Sequence, residues 1–350
     1  MKIASFLLIP FIGAVALVSL SGCNRNPVID DYTFVVTGDD RIAPKEDSAH
    51  PEWNTINEYQ MKRLFKEVSQ MKPLPKMLII NGDLVLGYCD GDTNKLANEL
   101  RAWIKLYKES PLAATSVKLI AFPGNHETVE KIGSGKIAAS PDERTFVREM
   151  KDYIAGDNGP RYTGFRPGTD SLMSNQNQLT YSFDYGGDHF VIINTDGLAR
   201  ESRIPYHWLE KDLKAAHEAS ARHIFLFAHK PAWQTSMSGE AGLNEVQANR
   251  DSAWAAMEKY NADVYFCSHY HFWDTICPHR GKTYEVVCGN AGAPGPKDWV
   301  GPYYGYTIVK VHPKTIDITS MGRDYDLNDY TAARDDKATV IRAQFTIGKP

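Results

Sequence analysis

The sequence predicts an α/β fold organised on a parallel sheet, and three observations predict it. Short apolar runs alternate with helix-period segments through the first third of the chain, an order that gives parallel strands joined by right-handed crossovers. Five apolar runs end in chemically loaded turns. Residues 33–36 lead into Gly38-Asp39-Asp40-Arg41, 77–80 into Asn81-Gly82-Asp83, and 117–122 into Pro123-Gly124-Asn125-His126-Glu127. Residues 223–228 lead into His229-Lys230-Pro231, and 264–267 into Ser268-His269-Tyr270-His271. Turns beyond the carboxyl ends of such strands are where ligands sit, so Asp39, Asp83, Asn125, His126, His229, His269 and His271 are expected along one edge. From Phe272 onwards the runs are β-rich and separated by Gly or Pro turns, a second set of strands rather than a domain with motifs of its own.

The chain begins differently. Lys2 precedes residues 3–20, apolar except for Ser5 and Ser19, and Leu20-Ser21-Gly22-Cys23 follows. A segment this short that ends in small residues reads as a secretory signal and not as a spanning helix. The Leu-Ser-Gly-Cys ending resembles a bacterial lipobox, which implies cleavage after residue 22 and a lipid on Cys23. Several acyl chains there would hold an exported protein on the cell-envelope membrane, with residues 23–32 as a lipidated tether. A plain signal peptide or an uncleaved anchor is the alternative.

Next comes the first strand and its Gly-Asp turn. Thr55-Ile56-Asn57-Glu58 reads as a capping box, opening a helix whose Met61, Leu64, Phe65, Val68 and Met71 share one face. Lys72-Pro73-Leu74-Pro75 stops it before the second strand. A second helix carries Leu96, Leu100, Trp103, Ile104 and Tyr107 on one stripe, and the third strand ends at Gly-Asn-His-Glu. Residues 130–178 interrupt the rhythm as an insert. Ser140-Pro141-Asp142-Glu143 starts a helix there, followed by a long Gly/Pro/Asn/Ser-rich loop carrying Arg161, Tyr162, Phe165 and Arg166. Long loops in compact domains serve function or run as solvated excursions. From their composition alone, Arg161, Tyr162 and Arg166 are expected to shape the mouth of the site and bind substrate.

Tyr185-Gly186-Gly187-Asp188 joins two strands as a hairpin. Leu209 and Leu213 mark a short helix, and Val246, Ala253, Trp254 and Met257 another. Residues 323–350 form a C-terminal extension, polar to 337 and then a last strand. Besides Cys23 there are Cys89, Cys267, Cys277 and Cys288, for which three disulfide pairings or buried free thiols are open. Cys277 and Cys288 flank a turn and are candidates for paired strands.

A length of 350 residues with 43% hydrophobic and 23% charged residues accommodates one large domain or two modest ones. The net charge of −4 offers nucleic acid no electrostatic footprint, so no nucleic-acid partner is expected.

Taken in order, Gly-Asp, Gly-Asp, Gly-Asn-His-Glu, a lone His and His-x-His resemble the calcineurin-like metallophosphoesterases over residues 33–320. A Gly-Asp alone is a common turn and a lone His is often merely packed. The order of five motifs at strand ends carries the resemblance. It implies a four-layer α/β/β/α sandwich, two mixed β-sheets face to face with helices outside, spanning residues 33–322. It also implies two divalent or trivalent ions, Zn, Fe or Mn, and hydrolysis of a phosphate mono- or diester by in-line attack of a metal-bound hydroxide. Carried over by position, Asp39 and His271 would bind the first ion, and Asn125, His229 and His269 the second. Asp83 would be shared. His126 would serve as general acid or stabilise transition-state charge. Asp40 is a weaker alternative to Asp39. The remaining histidines, His50, His189, His207, His217, His223, His279 and His312, carry no such context.

One departure bears on the first ion. Where the family usually has His two residues after the first Asp, this chain has Arg41, and guanidinium has no lone pair for a metal. Purple acid phosphatases also lack that His and supply a Tyr three residues after the shared Asp, where this chain has Leu86. The first site is then weak, or Arg41 grips the substrate phosphate as a catalytic residue, or Arg41 is a salt-bridged surface residue. A non-catalytic, surface-binding lipoprotein that retains the fold is the alternative to an enzyme.

Overall fold

Strands with two apolar faces must be covered twice, and every residue of β2 (Met77–Asn81) is buried. In the computed structural model, which describes residues 27–42, 51–132, 135–233, 242–281, 283–293, 295, 303–324 and 337–348, two six-stranded sheets meet this demand. The first has the order β14-β13-β12-β1-β2-β3, with β1 (Tyr32–Thr37), β2 and β3 (Lys118–Phe122) parallel. Beyond β1 each neighbour pairs antiparallel with the one before it: β12 (Tyr303–Val311) with β1, β13 (Thr315–Asp324) with β12, and β14 (Val340–Gly348) with β13. The second sheet has the order β10-β11-β9-β8-β7-β6. Its β7 (Asp188–Ile193), β8 (Ile224–Ala228), β9 (Val264–Cys267) and β11 (Tyr284–Cys288) are parallel. Its two edges, β6 (Tyr181–Tyr185) and β10 (Trp273–Ile276), are antiparallel to their neighbours.

Alternation along each strand divides the core. Phe34, Val36, Ile79 and Phe122 of the first sheet meet Phe190, Phe225, Phe227 and Phe266 of the second. Residues one position out of phase, Val35, Leu78, Ile80 and Leu119, face Leu64, Phe65 and Val68 of α1 (Pro51–Ser69) and Leu100 and Trp103 of α2 (Thr93–Lys108). On the other side Val191, Leu226 and Tyr265 face α5 (Tyr206–Glu218) and α6 (Gln247–Lys259). The result is helices, sheet, sheet, helices: the four-layer sandwich.

Several expectations shift. The five motif-bearing strands do not share one sheet: β1, β2 and β3 belong to the first, β8 and β9 to the second. The late strands are divided likewise, β12 to β14 extending the first sheet and β10 and β11 the second. Helix α1 starts at Pro51, four residues before Thr55, so the Thr55 capping box is not its start; proline suits a first helical turn because its missing N–H has no partner there. The insert holds a hairpin, β4 (Val129–Ile132) and β5 (Gly135–Ala138), between the single turn α3 (Asn125–Thr128) and α4 (Ser140–Met150). The long loop after α4 folds on itself, with Gln176 N–H donating to Pro160 O at 3.0 Å and Thr163 N–H to Leu172 O at 3.1 Å. Cys89, Cys267, Cys277 and Cys288 are free thiols; Cys288 stands opposite Trp273 in the β10–β11 ladder, so Cys277 is out of register with it. Cys23 and its leader lie outside the described residues. Among the described residues no helix is long and apolar enough to cross a membrane.

The β6–β7 turn uses Gly186 (φ 63°) and Gly187 (φ 92°), the paired positive φ of a two-residue hairpin. It places His189 between two carboxylates, Nδ1 2.7 Å from Asp184 Oδ1 and Nε2 2.9 Å from Asp212 Oδ2. Burial disfavours the imidazolium, but the two hydrogen-bonded carboxylates outweigh it and raise the pKa from 6.5 to about 9. A raised folded-state pKa stabilises fully below the unfolded value and is lost as pH climbs through the folded one. Denaturant stability should therefore fall between the ordinary histidine pKa and pH 9 or so, by roughly 1–3 kcal/mol. An Asp212→Asn variant should show a shallower fall in the same titration.

Candidate metal centre

All five loaded turns emerge at the same end of the sandwich, because β1, β2, β3, β8 and β9 point the same way. Backbone hydrogen bonds then lace the turns together. Asp39 N–H donates to Gly82 O (3.1 Å), Arg41 N–H to Asp83 O (2.9 Å), Ser268 N–H to His229 O (2.8 Å) and Ala291 N–H to Gly38 O (3.0 Å). Tight reversal forces Asp39 (φ 63°), Arg41 (φ 48°), Asp83 (φ 53°), Tyr88 (φ 49°) and His269 (φ 71°) into left-handed backbone. Such strain in side-chain-bearing residues clusters where function demands it. A Cβ on Gly124 would lie 2.2 Å from Asp83 Oδ1, so only glycine lets the third turn pass the carboxylate.

Glu127 closes this framework. Its Oε2 accepts from the N–H groups of Asp83 (3.0 Å) and Gly124 (2.7 Å), and its Oε1 from Val85 N–H (2.9 Å). The fully buried carboxylate thus ties the second turn to the third. Burial, with the charge of Asp83 adding to it, pushes its pKa up to about 7.

Three of the expected donors converge. One oxygen of Asp83 and one nitrogen each of His229 and His269 lie within 4.8 Å of one another, all in buried residues. His229 Nε2 is 3.1 Å from Asp83 Oδ1 and 3.0 Å from Asn125 Oδ1, and 3.2 Å from His269 Nδ1. His229 Nδ1 donates to Asn81 O at 2.8 Å, which turns Nε2 and its lone pair inwards. Burial works against a charged His229, yet Asp83 and Asp39 raise its pKa to about 9.

Asp39 and His271 sit slightly apart. Asp39 Oδ2 accepts from His269 N–H at 2.6 Å, while Asp39 Oδ1 is buried, accepts no hydrogen bond among the described residues and lies 3.6 Å from His271 Nε2. Burial holds the Asp39 carboxyl well above the usual range. Asp40 turns away from the site, its Oδ2 accepting from Trp103 Nε1 on α2. Arg41 donates from Nη2 (2.9 Å) and Nε (3.2 Å) to Asp83 Oδ2. Burial opposes ionisation of Asp83, but His126, His229 and Arg41 hold its carboxyl well below the usual range. The inward cluster of carboxylate, amide and imidazole donors at Asp83, Asn125, His229 and His269 fits a first-row cation such as Zn, Fe or Mn.

His126 lies beside this cluster, its N–H on Asp83 Oδ1 (3.0 Å), its Nδ1 on Leu86 O and its Nε2 3.6 Å from Asp83 Oδ2. Burial first, then the Arg41 charge, keeps its pKa well below the ordinary value. Its ring lies against Tyr88 at 4.1 Å between centroids, and the Tyr88 hydroxyl accepts from Asn125 Nδ2.

Above these groups opens a cleft of about 570 Å³, lined by Arg41, Tyr88, Asn125, His126, His269, Lys131 and Lys136, with Lys230, Asp196, Glu201 and Glu245 opposite. The lysines of the β4–β5 hairpin stand over the Tyr88 ring, 4.5 Å (Lys131) and 5.0 Å (Lys136) from its centroid. Lys230 is buried against Asp196 Oδ1 (2.6 Å) and Ser202 Oγ (2.9 Å). Sequence reasoning missed Tyr88, Lys131, Lys136 and Lys230. Only Lys230, next to His229, carried a signal in its position. Arg161, Tyr162 and Arg166, expected at the mouth, do not line this cleft. Tyr162 borders a separate depression with Arg144 and Met173.

The calcineurin-like phosphoesterase family model matches residues 32–272. The chain belongs to that family. Among curated relatives, probable inactive purple acid phosphatase 27 of Arabidopsis thaliana is 24% identical over 232 residues, 64% of this chain and 34% of the relative. Purple acid phosphatase 23 of the same plant is 28% identical over 162 residues, 46% of this chain and 30% of the relative. This calcineurin-like phosphoesterase thus spans about a third of the length of those relatives. Among solved structures, purple acid phosphatase PPD1 from yellow lupin seeds superposes with a TM-score of 0.60 at 18% identity, covering 91% of this chain and 54% of that one. PhoD superposes with a TM-score of 0.59 at 14% identity, covering 93% and 71%. These two share the fold. The family is a dinuclear metal family, and the described residues of this member hold a partial ligand cluster.

Proposed function

We propose that the chain is an exported, lipid-anchored, metal-dependent phosphoester hydrolase. The observation that carries the reading is the inward cluster of Asp83, His229 and His269, which meets a cleft at His269, in a member of a phosphoesterase family. Asn125 completes the donor set beside His229. When bound, a metal at these residues supplies Lewis-acid stabilisation of phosphoryl oxygens and lowers the pKa of a nucleophilic water. The chain's own groups do the rest. Asn81 O and Asp39 fix the two histidines, Glu127 fixes the turn of Asp83, and Leu86 O and Tyr88 hold His126 beside the Asp83 carboxylate at the edge of the site.

The phosphate ester enters from the cationic side. Lys131 and Lys136 lie beyond Tyr88, so they face the part of the substrate outside the reacting phosphoryl group. Replacing both by alanine should raise KM about 5–30-fold with kcat little changed, since each exposed charge contributes roughly 0.5–1 kcal/mol. Added salt should narrow that gap, as screening removes the same interaction. Equal KM values for the two proteins at low salt would exclude the lysines from binding.

The test of activity is hydrolysis of p-nitrophenyl phosphate and bis(p-nitrophenyl) phosphate by metal-replete protein. Release of nitrophenol from either supports the reading, and cleavage of neither by a fully loaded chain overturns it. The membrane part is supported by Leu20-Ser21-Gly22-Cys23 after the apolar leader. A Cys23→Ala variant should leave the membrane fraction, and an unchanged distribution would remove the lipid from the proposal. A second reading, a non-catalytic binding protein, is favoured by the Arg41–Asp83 pair and by relatives named as inactive. The same assay separates the two.

A further inference from the structure

The two oxygens of Asp83 have different company. Oδ1 faces the inward cluster, 3.1 Å from His229 Nε2, whereas Oδ2 takes both donors of Arg41, at 2.9 and 3.2 Å. A carboxylate that bridges two ions needs Oδ2 for the first of them. Here that oxygen is occupied by a permanent cation that offers no lone pair.

Arg41 is built into this position. Its N–H donates to Asp83 O at 2.9 Å, its own carbonyl accepts from Asn57 Nδ2 at 3.2 Å, and its backbone sits at φ 48°. Few donors are left for a first ion. Asp39 Oδ1 and His271 Nε2, 3.6 Å apart, are the pair available, and the other Asp39 oxygen is committed to His269 N–H. Position 86 is Leu and contributes only its carbonyl, already taken by His126. Among the described residues the one group of three or more Asp, Glu, His or Cys donors able to hold an ion is Asp83, His229 and His269. Two protein donors with water hold a divalent ion far more weakly than three or four.

We propose that this chain retains one metal ion, at Asp83 Oδ1, Asn125, His229 and His269, and that the Arg41 guanidinium stands in for the first ion as a fixed positive charge on Asp83 Oδ2. This rests on the metal-centre reading above and deepens it. Asp39 and His271 then act chiefly as positioning groups, Asp39 by orienting the backbone of His269. Arg41 lines the cleft, so its outer face meets the phosphoryl oxygens that a first ion would otherwise meet.

Elemental analysis of the full purified chain after loading with Mn²⁺ and dialysis against metal-free buffer tests this, together with electron paramagnetic resonance of the bound Mn²⁺. One ion per chain with the spectrum of an isolated Mn²⁺ is expected, and two ions with a spin-coupled spectrum would overturn the proposal. Arg41→His should gain a second, coupled ion; a folded Arg41→His protein still holding one would also count against it. His271→Ala needs no new ligand to form. It should keep its single ion, and loss of that ion would place the metal at the other position and overturn the assignment. His269→Ala should lose it, and retention would do the same. Because the readout is stoichiometry, a chain that holds one ion and cleaves no ester would sink the hydrolase reading alone.

Discussion

Replacing His229 by alanine is expected to reduce phosphoester hydrolysis by at least about 10²–10³-fold, the size of effect seen when a single preorganised electrostatic group is removed from an active site. Its side chain meets three other members of the site. Its Nε2 lies within 3.2 Å of Asp83 Oδ1, Asn125 Oδ1 and His269 Nδ1, and its Nδ1 donates to Asn81 O. Truncation removes one metal donor and lets the facing carboxylate and amide relax. Retained metal should fall with activity, so stoichiometry and kcat/KM measured on the same preparation form the check. His229→Gln offers an oxygen near the same place and should recover part of the metal without restoring the rate. A His229→Ala protein that keeps both metal and turnover would remove this residue from the centre.

Replacing Glu127 by alanine should destabilise the fold by roughly 3–5 kcal/mol. Its two oxygens satisfy the N–H groups of Asp83, Val85 and Gly124 in a fully buried place, and each buried donor left without a partner costs about 1–3 kcal/mol. The upper end of that sum is tempered because burial already disfavours the charged form of this carboxyl. Glu127→Gln keeps an acceptor oxygen but presents an amide N–H to donors, so it should recover less than half of the loss. Urea denaturation of the metal-free proteins isolates this effect from metal binding. A loss below about 1 kcal/mol for the alanine variant would show that water replaces the carboxylate without penalty.

Much of the site was readable because its residues occupy a position that sequence marks well, the first residues after a short apolar run. Asp83, His229 and His269 meet because three strands deliver them to one rim, and each strand end could be found locally. Which strands lie side by side was not local information. Nothing in the alternation of strands and helices states that β8 and β9 leave β3 for another sheet, or that β12, more than 260 residues after β1, returns to pair with it. The two-sheet arrangement entered through the family resemblance and not through periodicity. Composition pointed to other residues than those that line the cleft. Arg161, Tyr162 and Arg166 looked suited to phosphate, but their loop pairs with itself through Thr163 and Leu172 away from the cleft. The hairpin that supplies Lys131 and Lys136 has strands of four residues each, too short for alternation to show. Arg41 was recognisable as an anomaly in sequence, yet its partner became evident only when β1 and β2 were placed next to each other.

The division of donors between the two sheets has a mechanical meaning. Asp83 and Asn125 ride on one slab, His229 and His269 on the other, so an ion held by all four rivets the slabs together at their rim. Ligand that binds only the folded form adds about 2.7 kcal/mol of stability when it is present at 100 times its dissociation constant. A protein starved of metal would therefore gape first at this lip, and proteases would find it there. Metal supply would set the lifetime of the molecule as well as its rate.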